Sequence, residues 1–211
     1  MIQLDKSSCM TLQKGYSIRL ERNGQRFDRI SLGLSWGCLF EDTLSPGDNR
    51  FSDLLPLDGA VTSFAKGRAY ETIYFRKLRS RDGSINHTQD DIGNNTVDHE
   101  VITIDLPMVN PAVDTIYVHL NSFRGLDFSI IPYSQLRLYR GGPTTFGKTL
   151  AYVHIPSENK LRGYMSMVLG KLQRHDREWS FSTVAQPVPA YDIPTTARYL
   201  EKKVHGRRSQ L

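Results

Sequence analysis

A chain of 211 residues, 39% of them apolar, has the size and apolar content of one folded domain with a core of its own. Lys and Arg outnumber Asp and Glu by 27 to 22, a net charge of +5 that admits acidic proteins, anionic membranes or nucleic acid as partners without singling one out. Two cysteines, Cys9 and Cys38, supply neither a disulfide framework nor C-x-x-C metal spacing, and no stretch reaches the ~18 to 20 uncharged apolar residues of a membrane span.

The opening "MIQLDKSSCM" sets Asp5 and Lys6 where a secretory leader needs an apolar run, so the expectation is a soluble, cytoplasmic chain in a reducing compartment. From there the chain reads as strands, since apolar residues recur with period two. "SIRLE" sets Ile18 and Leu20 against Ser17, Arg19 and Glu21. "RISLGLSW" points Ile30, Leu32, Leu34 and Trp36 one way and Arg29, Ser31 and Ser35 the other. A first long loop, from Cys38 to about Leu55, contains Ser-Pro-Gly-Asp-Asn at 45–49. "FRKLRSR" at 75–81 then gathers Arg76, Lys77, Arg79 and Arg81, which reads as a solvated strand end or as a surface for phosphate or acidic lipid. A second loop runs from roughly Ser80 to His99; long loops in a compact β domain are usually functional or disordered.

Further strands come after it. "VITIDL" sets Ile102, Ile104 and Leu106 against Thr103 and Asp105, and "TIYVHL" sets Ile116, Val118 and Leu120 against Tyr117 and His119. "SQLRLY" offers Leu136 and Leu138, and "EWSFS" offers Trp179 and Phe181. Between them, residues 142–149, "GPTTFGKT", match the letters of a phosphate-binding loop, G-x-x-x-x-G-K-[ST]. That mechanism needs a helix leaving the loop so that its N-terminal amides hold the phosphates. The next residues, "LAYVHIP", alternate and end on Pro156, so the expectation is a hairpin turn. A helix is expected only at the end, where Ala197, Leu200 and Val204 recur at helical spacing in "PTTARYLEKKV", before a basic tail, "HGRRSQL", expected to fray. The pattern predicts an all-β, two-sheet antiparallel β-sandwich over residues 1–190, with a short C-terminal helix and basic tail over 191–211.

No nucleophile-elbow serine, H-E-x-x-H or catalytic-cysteine context occurs, so no enzymatic activity is indicated. The densest chemistry is "HTQDDIGNNTVDHE" at 87–100, which carries Asp90, Asp91, Asp98 and Glu100. Crowded carboxylates repel unless a cation sits among them, and calcium takes six to eight such oxygens. The spacing is not an EF-hand, because Ile92 and Asn95 stand where Asp/Asn and Gly are required. Zinc has only His87 and His99 to use. On residue types the stretch is either a calcium loop or a solvated polar excursion.

Five segments, in order, resemble the TerD-type tellurium-resistance family, and within it the TerZ-like branch. They are "SLGLSWG" at 31–37, "ETIYFRKLRSRDGSINHTQDD" at 71–91, "DHEVITIDL" at 98–106, "NSFRGLDF" at 121–128 and "LQRHDREWSFSTVAQ" at 172–186. The resemblance implies a non-enzymatic β-sandwich acting in tellurite and stress resistance beside other Ter-type proteins, some of them membrane-linked at the inner face. It implies no nucleic acid and no small-molecule substrate. It also implies calcium (Ca2+) held by a D-L-D-A segment and a D-N…D-D-E loop. Here those positions carry Asp58, Asp90, Asp91, Asp98 and Glu100, with Pro56 and His99 replacing two family aspartates. The competing expectation is a metal-free module that meets an acidic protein or membrane through Arg76 to Arg81 and the tail from Lys202 to Arg208.

Overall fold

The computed structural model describes residues 10–37, 57–88, 98–123, 125–142 and 149–208, with side chains to 204. Two six-stranded sheets face each other. The first, the β5 sheet, joins β1 (Met10–Thr11), β5 (Arg29–Trp36), β8 (Ile85–His87), β9 (Glu100–Asp105), β11 (Tyr133–Arg140) and β12 (Thr149–Pro156) in the order β1-β12-β11-β5-β9-β8. The second, the β10 sheet, joins β2 (Ser17–Arg19), β6 (Leu57–Ala65), β7 (Arg68–Ile73), β10 (Thr115–Ser122), β13 (Ser166–His175) and β14 (Glu178–Val188) in the order β2-β14-β13-β10-β6-β7. A small ribbon, β3 (Glu21–Arg22) with β4 (Gln25–Arg26), stands apart, and β1 pairs with β12 in parallel, an exception to the antiparallel expectation. Leu32, Leu34, Ile102, Ile104, Ile116, Val118, Leu120, Leu136, Leu138 and Phe181 meet between the sheets, each with an exposure of 0%. This is the sandwich that the period-two pattern predicts.

Three elements differ from the sequence reading. Strand β6, "LDGAVTSFA", is buried on both faces and so carries no alternation to read. The loop expected over 80–99 contains β8, which pairs Ile85 with Ile104 and His87 with Ile102. The helix α1 (Ile193–Arg208) runs on through part of the tail expected to fray. It starts on a reciprocal cap: Asp192 Oδ1 accepts the Thr195 N–H at 2.7 Å, and the Thr195 hydroxyl accepts the Asp192 N–H at 3.1 Å. The letters "GPTTFGKT" join β11 to β12, which pair antiparallel up to Tyr139↔Thr149, so they lead into a strand and not a helix. Residues 143–148 lie outside the described residues.

The helix explains why His119, expected on a polar outer face, has an exposure of 0%. It packs over the outer side of the β10 sheet and closes a polar network there. His119 Nδ1 donates to Asn121 Oδ1 at 2.8 Å, which leaves Nε2 to accept from the Thr62 hydroxyl at 3.0 Å. The Asn121 amide donates to Ser166 Oγ at 2.6 Å and to Thr196 Oγ1 at 2.8 Å. Ser166 donates onward to the Ala190 carbonyl at 2.9 Å. Every partner is neutral, so burial pushes the His119 pKa down to about 4, although its bond to Asn121 works the other way. In the unfolded chain this histidine binds a proton below about 6.5, while the folded chain holds it neutral until about 4. Through this one group folding stability should therefore fall as pH drops from about 6.5 towards 4, by up to ~3 kcal/mol. Urea unfolding across that range checks it, and His119→Gln should flatten the slope whatever its own stability.

Candidate functional site

Asp98, His99 and Glu100 lead into β9 and send their side chains to three different places. Asp98 reaches over β5 at Gly33, whose ladder partner is Arg137. The guanidinium grips the carboxylate with both arms, Nε to Oδ1 at 2.8 Å and Nη2 to Oδ2 at 2.7 Å. The Tyr139 hydroxyl donates to Oδ2, and burial together with the Asp98 charge pushes the Tyr139 pKa up. Both Asp98 oxygens are thus spent on protein donors. The glycine makes this possible, because a Cβ at position 33 would stand 2.3 Å from Oδ2.

His99 turns the other way. Its ring lies 4.5 Å from that of Trp36, and its Nδ1 accepts the Trp36 backbone N–H at 3.3 Å.

Glu100 crosses between the sheets. The β6–β7 ladder stops at Val61↔Ile73, so the Gly59 peptide has no strand partner on that side. Oε2 of Glu100 accepts the Gly59 N–H at 2.6 Å, and Nε2 of His87 donates to the Gly59 carbonyl at 3.1 Å. The imidazole and the carboxylate stand 3.6 Å apart, both buried. Burial disfavours a charged His87, yet the hydrogen bond and charge of Glu100 outweigh it and raise the histidine's pKa. Here too only glycine fits, since a Cβ at position 59 would lie 2.1 Å from Oε2.

Asp58 is half-buried on β6 opposite Asn121, in a cleft of about 310 Å³ lined also by Phe75, Phe123 and Tyr191. Neither Asp98 nor Glu100 lines that cleft. Asp90 and Asp91 lie outside the described residues. Among the described residues no group of three His, Cys, Asp or Glu side chains gathers as a metal shell. Calcium needs carboxylate oxygens that can turn towards it. Asp98 gives both carboxylate oxygens to Arg137 and Tyr139, and Glu100 gives Oε2 to the Gly59 amide.

The basic run at 75–81 is also partly spent. Glu71, with an exposure of 8%, takes Lys77 Nζ at 2.5 Å and the Arg81 backbone N–H at 3.2 Å. Arg76 lies over the Phe75 ring at 5.4 Å.

Arg137, Tyr139 and the two glycines are the residues that sequence reasoning passed over, and His87, weighed there only for zinc, binds the Gly59 carbonyl instead. The available signal was Gly33 in the middle of an apolar strand, where a missing side chain marks a close approach.

A family model described as TerD domain matches residues 9–191. The chain is 27% identical to the tellurium resistance protein TerZ of Serratia marcescens over 177 residues, 83% of this chain and 88% of that protein. It is 27% identical to the stress response protein SCP2 of Bacillus subtilis (strain 168) over 192 residues, 84% and 92% of the two. Among solved structures, a homologue of the telluride resistance protein TerD, SCO6318 from Streptomyces coelicolor A3(2), overlays with a TM-score of 0.59 at 19% identity, covering 81% of this chain and 95% of that one. The protein of unknown function SAV2460 overlays with a TM-score of 0.61 at 21% identity, covering 83% and 97%. At such identities the overlays show the fold.

Gly33→Ala and Gly59→Ala should each cost roughly 1–3 kcal/mol of stability, because each added methyl displaces a buried carboxylate. Gly142→Ala, whose Cβ would stand 3.7 Å from Arg29 Cδ, should cost well under ~1 kcal/mol. Urea denaturation of the three variants beside the wild type checks the contrast.

Proposed function

The chain belongs to the TerD family, and from that premise we propose that it serves a tellurium- or stress-resistance system as a binding scaffold and not as a catalyst. The observation that carries this reading is the use made of the two buried carboxylates, Asp98 and Glu100. In a catalyst such groups would be held with a reactive edge towards a substrate. Here Asp98 and Glu100 join strands and sheets, and they stiffen a surface instead of working on a ligand. The partners on this reading are other Ter-type proteins, some of them membrane-linked. No helix among the described residues is long and apolar enough to cross a membrane. The competing surface, Arg76 to Arg81, has less support, because Glu71 already holds two of its four basic residues.

Calcium, on this reading, falls to Asp58, Asp90 and Asp91, while Asp98 and Glu100 act structurally. The experiment pairs a tellurite challenge, in a host stripped of its TerD-family genes, with melting curves of the purified chain. The wild type should restore growth. Asp98→Asn should lower stability by about 3 kcal/mol or more, as expected for a broken buried pair, and by the same amount in chelator as in calcium. Asp90→Ala with Asp91→Ala should remove only the rise in melting temperature that calcium brings. Absence of protection by the wild type would overturn the resistance reading. A loss in Asp98→Asn that disappears in chelator would make Asp98 a ligand after all.

A further inference from the structure

Residues 11–14 carry the chain from one sheet to the other. Thr11 pairs with Tyr152 on β12, and the Leu12 N–H donates to the Tyr152 carbonyl at 2.7 Å. The Gly15 N–H then donates to the Thr183 carbonyl on β14 at 3.0 Å. Among the described residues, β14 has no neighbour on its β2 side after Thr183, and β12 has none on its β1 side after Leu12 bonds Tyr152. Beyond this bridge a cleft of about 690 Å³ opens between the two strands. Leu12, Val153, Leu161 and Met167 line it, each with an exposure of 4% or less.

Thr183, on the wall of this cleft, is the residue that packing does not explain. Alternation puts its side chain on the face of β14 that carries Trp179 and Phe181 into the sandwich core. The residue is 3% exposed, yet among the described residues its hydroxyl has no hydrogen-bond partner. A buried hydroxyl in that state destabilises the fold, and native structures keep few of them. The backbone beside it is strained as well. Val168 pairs with Gln186 and Gly170 with Thr183, so β14 holds one residue more than β13 there. Within that bulge Ala185 has a φ of 44°, a left-handed conformation that suits glycine and not alanine. An orphaned hydroxyl and a strained bulge thus stand together on one cleft wall, where strain of this kind accompanies binding.

The charges along the lining do not call for an ionic ligand. Glu158 and Lys160 pair with each other at 2.5 Å, and Lys14 and His154 are exposed to water. A charge carried down to the apolar wall would lose its hydration with nothing there to neutralise it. What the wall offers is apolar surface and one hydroxyl that can both donate and accept. The volume falls within the range of small-molecule sites. We propose that this cleft binds an uncharged, elongated apolar molecule with a hydroxyl or primary amide group. That group bonds Thr183 Oγ1, and the hydrocarbon body lies against Leu161 and Met167. The site shares no residue with Asp58, Asp98 or Glu100, so it stands apart from the calcium and resistance readings above.

The test titrates 1-octanol into the full chain by NMR, with octanoate as the charged comparator. Octanol should saturate, bind more tightly than octanoate, and show intermolecular contacts to the side chains of Leu161 and Met167. Thr183→Val keeps the branched shape and removes the hydroxyl. It should weaken octanol roughly three- to tenfold, the worth of one hydrogen bond, while raising the melting temperature of the free chain because an unpaired buried group is gone. A hydroxyl that serves only the fold would do the reverse, lowering the melting temperature when removed and leaving octanol binding unchanged. That result, the absence of saturable octanol binding, tighter binding of octanoate, or contacts at another surface overturns the proposal.

Discussion

The peptide group of Gly59 is where the two sheets are tied by something more directional than apolar contact. Strand β6 outruns its neighbour β7, which leaves the buried N–H and C=O of Gly59 without a strand partner at that edge. An unmade hydrogen bond at such a place costs about 1–3 kcal/mol for each group. Glu100 from β9 and His87 from β8 meet the two groups, so one residue of the β10 sheet is held by two side chains of the β5 sheet. Apolar packing alone permits sheets to slide, and this bond fixes their offset. Only glycine admits it, since any Cβ would occupy the space of the carboxylate.

The same short stretch, Asp98 to Glu100, secures the β5 sheet from its outer side. Asp98 lies over Gly33 and is closed by Arg137 and Tyr139, while His99 rests on Trp36. Asp98 precedes the strand and reaches the outer face, while Glu100, the first strand residue, faces the opposite sheet, so two acids two positions apart serve both sides. A segment whose composition suggests a cation site therefore does part of its work as a joint. The buried charge is met by a guanidinium already in place. With this frame fixed, the outer surfaces are free for partners, the second face of the β10 sheet carries the helix, and a cleft stays open between β12 and β14 beside Thr183.

The strands β5, β9, β10, β11 and β14 were legible because one face of each is apolar at every second residue. Strand β6 was not, because burial on both faces erases the alternation. Ser31 and Ser35 read as solvent-facing but have exposures of 2% and 3%, with their hydroxyls bonded to the Gly141 carbonyl and to Gln135 Oε1. His119 was misread for a related reason, since the helix that covers it comes from far along the chain. The acids of the candidate site were visible one by one. Their partners were not: Asp98 and Arg137 are 39 residues apart, and Glu100 and Gly59 are 41 apart. Pairings across that distance are fixed by sheet order, which composition and spacing do not carry.

The most direct measurement is hydrogen exchange of the Gly59 amide in chelator-treated protein, read residue by residue by NMR. If Glu100 holds that amide as a permanent structural bond, it exchanges as slowly as the amides of the central β6 residues, with no metal present. Fast exchange at Gly59 in chelator, slowed only when calcium is restored, would contradict the account and return Glu100 to the metal.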